Sequence, residues 1–196
     1  PLFTSLFTND WEGSPDDTLK NGTTGNSMTL ERTLNLGGGT SEYIRFVGCL
    51  ANTMSLEITA GQIVTGSFGI LGKFGSRGSS IISGATYTDA NDNVVLNATS
   101  NFASLSVGSL SPTPRIRSLS LSVTNNLRQQ QVVGDLDAGG MGSGRFEVTG
   151  NMEAYFQSSA LFQSFLDHDD LSLSFVLGSA SGSRYRFTIP TIKLPG

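Results

Sequence analysis

The chain has little of what most chemistry requires. Of its 196 residues, one is cysteine and one is histidine. A single cysteine excludes an internal disulfide, and Cys49, set in an apolar run, reads as a buried small hydrophobe rather than a nucleophile. A single histidine leaves His168 without the second imidazole of a usual zinc site. Charged residues make up 14% of the chain, against about 25% in an average domain. The net charge is -4 and the 12 Lys and Arg are scattered, which argues against a phosphate-binding surface. No apolar stretch is long enough for a membrane-spanning helix, and no signal-peptide pattern appears in these residues. What is abundant is glycine, at 24 residues, together with Ser, Thr and Asn. That composition fits short strands, many turns and a surface of small polar side chains. The length suits one domain, or two small β-rich halves sharing a core, without a metal or disulfide staple.

The most legible stretch is 117–194. Leu119, Leu121 and Val123 alternate with polar residues, as do Phe146, Val148, Met152, Ala154 and Phe156, the period of half-buried strands. Between them and Leu171 the period changes. Ala160, Leu161, Phe162, Phe165 and Leu166 share one face of a helix, the one substantial helix expected. Ser158 or Ser159 is placed to cap it, and residues 167–170 end it. Leu171, Leu173, Phe175 and Leu177 then restore the strand period, with a turn over 178–183 and a return through Tyr185, Phe187 and Ile189. The helix should therefore pack on the apolar face of a mostly antiparallel sheet.

Upstream, residues 2–7 read as the last turns of a helix, and the apolar start at Pro1 suggests residues missing before it. A polar loop over 9–26 holds Trp11 and Pro15. Met28, Leu30, Leu34 and Leu36 form a strand that turns at Gly37, Gly38 and Gly39 and returns through 43–50. Met54, Leu56 and Ile58 make the next strand, and 63–71 pairs back after a turn at 60–62. Residues 72–114 read as a loop-rich insertion with one small hairpin, Ile81 and Ile82 against 94–96, about an Asn91-Asp92-Asn93 turn. A weak repeat relates Ser55-Leu56-Glu57-Ile58 and Val64-Thr65-Gly66-Ser67 to Ser120-Leu121-Ser122-Val123 and Val148-Thr149-Gly150-Asn151. The second copy carries 19 further residues between its strands. They fall in 125–144, a long arm with a glycine-rich end, and a loop of that length is usually functional or disordered.

A catalytic site is hard to assemble from these residues. Asp167-His168-Asp169-Asp170 offers oxygen and imidazole ligands, but reads more simply as a solvated loop ending the helix. No strand-to-helix Gly-x-Ser-x-Gly supports a Ser-His-Asp triad. Residues 139–144 have the glycine content of a phosphate loop without its Lys-Ser/Thr ending. Glu147 and Glu153, six residues apart on one strand, are separated by roughly 20 Å, too far for a glycosidase pair. Asn21-Gly22-Thr23 and Asn97-Ala98-Thr99 match the glycosylation pattern by chance if the chain is not secreted. What remains is a polar strand face: Glu57 with Ser55 and Thr59, then Ser118, Ser120, Ser122, Thr124, Glu147, Thr149 and Glu153. Its simplest reading is the solvent side of a sheet.

Six short motifs occur in order: Leu19-Lys20-Asn21-Gly22-Thr23, Ser27-Met28-Thr29-Leu30-Glu31-Arg32, Phe46-Val47-Gly48-Cys49, Ile63-Val64-Thr65-Gly66-Ser67-Phe68, Val123-Thr124-Asn125-Asn126-Leu127, and Gly144-Arg145-Phe146-Glu147-Val148-Thr149-Gly150. With the strand-helix-strand end, the chain resembles the tail tube proteins of long-tailed bacteriophages over nearly its whole length apart from 72–114. The resemblance implies a mainly β fold, an antiparallel β-sandwich or small barrel with one flanking α-helix, forming a single domain over 1–196 with a further N-terminal segment. It implies a non-enzymatic virion protein without cofactor, six copies to a ring, rings stacked into a tube alongside other tail proteins, and assembly in the host cytoplasm away from membranes. Genome DNA would pass through without specific binding. Under that resemblance Ser120, Ser122, Glu147, Thr149, Glu153 and Glu57 are expected to line the lumen. Asn125, Asn126, Arg128, Asp135, Asp137 and Met141 are expected in an inter-subunit arm. The rival reading is a glycan- or receptor-binding β-sandwich module, which would need an aromatic platform; Trp11, Tyr43, Tyr87 and Tyr155 do not group in sequence to suggest one.

Overall fold

Three glycines in succession, Gly37, Gly38 and Gly39, hold φ values of 86°, 61° and 78°, which L side chains rarely adopt, and they reverse the chain between its first two strands. A computed structural model describes residues 1–13, 16–178 and 184–194. In chain order it comprises α1 (Leu2–Phe7), β1 (Met28–Gly37), β2 (Thr40–Thr59), β3 (Thr65–Leu71), β4 (Phe74–Gly78), β5 (Phe102–Val107), β6 (Ile116–Thr124), β7 (Arg128–Gln131), β8 (Ala138–Gly142), β9 (Glu147–Ala154), α2 (Ala160–Leu166), β10 (Leu171–Leu177) and β11 (Tyr185–Ile192). The protein is mainly β, as expected, and the described residues hold two short helices, α1 over the apolar start and α2 where the period changes. A six-stranded sheet has the order β1-β2-β6-β9, with β3 and β4 also pairing β2. A three-stranded sheet runs β11-β10-β5, and β7 pairs β8.

The chain divides into two compact units. The first comprises 1–55, 67–91 and 122–149; the second comprises 56–66, 92–121 and 150–196. In the first, β1 and β2 pair antiparallel from Met28↔Cys49 to Gly37↔Thr40, and β4 pairs β2 from Tyr43↔Gly78 to Val47↔Phe74. The two strands read over 43–50 and 54–58 are one continuous strand. Gly48 bends it at φ 63° where Lys73 approaches, and a Cβ there would meet the Lys73 Cβ at 2.9 Å. Leu6, Ala51, Met54 and Val123 form this unit's core, with Phe3, Phe7, Phe68 and Phe146 against it. Cys49 is buried as expected, and its burial pushes the thiol pKa up.

In the second unit β10 is central, pairing antiparallel with β11 and β5. Leu171, Leu173, Phe175 and Leu177 are buried with Val107, Ile58, Leu119 and Leu121. Phe175 stacks between Phe102 and Phe187 at ring distances of 6.0 and 5.0 Å. Helix α2 lies where the change of period placed it, but its inward face is narrower than expected. Leu161 packs on the core and Ser164 is buried, while Phe162 and Leu166 are exposed. Both 161/165 and 162/166 are four-residue pairs on a helix, and only packing decides which pair turns inward. Ser159 is the N-cap without a side-chain bond, and the Ser158 Oγ accepts from the Ala160 N–H at 3.4 Å. His168 takes φ 54° just past the helix end.

The 72–114 segment is less loop-like than its composition suggested. It supplies β4 and β5, each a partner to a central strand. The hairpin expected around Asn91-Asp92-Asn93 is not formed: among the described residues 79–101 holds no strand, and Leu96 instead accepts from the Val64 N–H at 2.9 Å. The turn expected over 178–183 lies outside the described residues apart from Gly178.

Candidate functional site

The repeat read in the sequence corresponds to paired strands: β2 neighbours β3, and β6 neighbours β9. Ser55 and Ser67, on the first pair, bring their hydroxyls to 2.8 Å. The 19 additional residues of the second copy are not a structureless arm. They fold as a hairpin, β7 against β8, registered from Arg128↔Gly142 to Gln131↔Ala138.

The glycines of this hairpin are explained by what lies over them. A Cβ at Gly139 would meet the Val132 Cγ1 at 2.8 Å, and one at Gly140 would meet the Gln130 Oε1 at 2.6 Å. Glycine here admits the partner strand's side chains; it does not mark a flexible end. The base is anchored. Asn125, Leu127 and Ala138 are buried, the Ala138 N–H donates to the Lys73 carbonyl at 3.1 Å, and the Gln129 amide donates to the Gly72 carbonyl at 2.6 Å.

Asn125 therefore departs from the expected role of an arm contact. Its Nδ2 donates to the Leu6 and Ala51 carbonyls, while the Ala51 N–H donates to the buried Ser5 hydroxyl at 2.9 Å. Asn125 is a buried clasp joining α1, β2 and the hairpin base, and only its side chain's hydrogen-bonding capacity hinted at this. Asn126, at φ 49°, donates to the Arg145 carbonyl at 2.8 Å and is exposed, as are Arg128, Asp135 and Asp137; Met141 is half-buried. At the tip, Val133 and Leu136 are fully exposed.

The polar strand face divides between the units. In the first, Ser122, Glu147 and Thr149 are exposed. In the second, Glu57 is exposed and Ser120 half-buried. Glu153 is exposed and engaged: Arg117 pairs with it at 2.9 Å and the Ser118 hydroxyl donates to it at 3.3 Å. This cation was not foreseen, because strict alternation would put Arg117 on the opposite face from Ser118.

A charged cluster on the first unit also escaped sequence reasoning. Glu31 accepts from the Tyr87 hydroxyl and from the Arg45 Nε, each at 2.5 Å, and Arg45 also donates to the Ser80 carbonyl. The Tyr87 hydrogen bond first, and Arg45 second, hold the Glu31 carboxyl below its ordinary range, while Tyr87 is raised by the same carboxylate. The partners are 56 residues apart, beyond the reach of any local pattern. Tyr43 sits beneath the Arg45 guanidinium at 5.8 Å and Trp11 packs edge-on to Phe3 at 6.5 Å. Trp11, Tyr43 and Tyr87 thus each have a partner within the chain, while Trp11, Tyr87 and Tyr155 keep exposed surface. In the acidic loop, Lys193 pairs with Asp170 at 2.7 Å and donates to the His168 carbonyl at 3.2 Å. Among the described residues no group of three His, Cys, Asp or Glu is placed to hold a metal ion, and no helix is long and apolar enough to cross a membrane.

The sequence profile of a family described as phage tail tube protein matches residues 1–196. The chain belongs to the phage tail tube protein family. The match spans the whole chain, including 72–114, where the short motifs were silent. No curated protein matches it. A tail tube protein is a structural component of the virion tail that assembles with other tail proteins, which accords with surfaces made of strand edges and a projecting hairpin.

Proposed function

We propose that six copies of this tail tube protein close into a ring, that the rings stack, and that the tube so formed conducts the genome during ejection. The observation that carries the reading is the β7–β8 hairpin: its base is locked into its own unit, while Val133 and Leu136 at its tip are left entirely to solvent. An apolar tip on a well-anchored hairpin is a contact waiting for a partner surface. Strand β9 supports the same reading. It stands at one end of its sheet order with Val148 exposed, and an unpaired edge that is a hazard in a monomer becomes an interface in a closed assembly. Asn126, Arg128, Asp135, Asp137 and Met141 travel with the hairpin as contact residues.

In this reading Glu57, Ser120, Ser122, Glu147, Thr149 and Glu153 face the lumen. The carboxylates repel phosphates weakly and the hydroxyls add no positive charge, so DNA slides without sticking. Arg117 tempers the charge at Glu153, leaving Glu57 and Glu147 as the stronger sources of repulsion. Electron microscopy of the purified protein tests assembly: rings or tubes with sixfold symmetry are expected, and another symmetry or monomers alone would overturn the ring. Phage carrying Glu57→Lys and Glu147→Lys should build normal tails and eject more slowly at low salt. Unchanged kinetics would reject this lumen.

A further inference from the structure

Resting on the self-assembly just proposed, we infer that the tip of the β7–β8 hairpin of one copy docks in an apolar groove on the second unit of another copy. The groove, of about 760 Å³, is lined by Phe102, Leu105, Pro114, Arg115, Ile116 and Tyr155. Its walls are aromatic and aliphatic, and Arg115 is its only charged lining residue. Gln157 also lines the groove, and its side chain accepts from the Arg115 backbone N–H at 2.9 Å; Arg115 is exposed. Among the described residues Arg115 has no ion-pair partner.

The tip has the complementary chemistry. Residues 132–137 read Val-Val-Gly-Asp-Leu-Asp, with two carboxylates and no cation. Gly134 turns the chain at φ 90°, and the Asp135 Oδ1 accepts from the Asp137 N–H at 3.0 Å, so the turn that presents Leu136 is already set. Neither Val133 nor Leu136 is covered by its own chain. Seating them between Phe102, Ile116 and Tyr155 removes apolar surface on both sides from water, and brings Asp137 to Arg115. A preset tip also loses little freedom on binding. Because each copy offers one tip and one groove, the contact is head-to-tail and propagates into a ring or a stack.

Mixing Leu136→Cys copies with Tyr155→Cys copies and adding a short bis-maleimide tests the contact, since a 136–155 cross-link can then form only between copies. The native Cys49 is buried, and each single variant alone is the control. Cross-linked dimer is expected in the assembled fraction of the mixture. Arg115→Asp alone and Asp137→Arg alone should each raise the concentration needed for self-association roughly tenfold, and the pair together should restore it. Tubes that form without the cross-link and without rescue by the charge exchange overturn the groove while leaving the ring reading intact. Head-to-tail oligomers that cross-link but never close overturn the ring and leave the groove. Monomers at every concentration overturn both.

Discussion

Strands β9 and β10 carry much the same alternation of apolar and polar residues, yet they end in opposite environments. In β10, Leu171, Leu173, Phe175 and Leu177 are all buried, because β5 and β11 flank it and the core lies over its face. In β9, Val148 is exposed, Met152 is only half-buried, and Phe156 just beyond the strand is among the most exposed aromatics of the chain. The period-2 pattern reports a face suited to burial; it does not say whether the covering surface belongs to the same chain. The difference teaches that one apolar alternation can be filled by its own chain while another is left bare for a partner surface. The hairpin repeats the contrast over a shorter distance, buried at Leu127 and Ala138 and bare at Val133 and Leu136.

The sharpest way to break the comparison is at the interior strand. Phe175→Ala removes a ring stacked on both sides and should destabilise the subunit by about 3–5 kcal/mol, read by urea unfolding of the isolated protein; a loss under 1 kcal/mol would mean that β10 is no more interior than β9. Next in size is Asn125→Ala. It leaves the Leu6 and Ala51 carbonyls without their amide donor in a buried place, at a cost of about 1–3 kcal/mol. Hydrogen exchange should accelerate together at α1 and the hairpin base, and acceleration at the hairpin alone would show that the clasp does not reach the helix.

On the edge side the effects on stability shrink while those on assembly persist. Val148→Ser should change subunit stability by less than about 0.5 kcal/mol and still delay ring formation in light scattering, whereas a stability loss matching that of a core valine would place β9 inside. The smallest change is Glu153→Gln. Its pair with Arg117 is more than half exposed on both sides, and such pairs contribute between about 0 and 1 kcal/mol. Unfolding curves should nearly superimpose with those of the unaltered chain, and a larger shift would mean that β9 is covered in the isolated subunit.

Local periodicity was enough to place β1, β6, β10 and β11, to site α2 between its flanking strands, and to set the Gly37-Gly38-Gly39 turn, because each rests on contacts between near neighbours or on a φ that only glycine adopts readily. The absence of an internal disulfide followed from composition alone, since one cysteine has no partner within the chain. The pairing of β5 with β10, the inward choice of Leu161 over Phe162, the Glu31–Tyr87–Arg45 cluster and the Asn125 clasp join residues far apart in the chain. No pattern within a window of sequence records them. The glycine-rich stretch 138–142 is the plainest case. Read alone, its composition means flexibility, since glycine loses the most freedom on ordering. In the fold, Gln130 and Val132 occupy the space their missing side chains leave, and the same glycines make a strand.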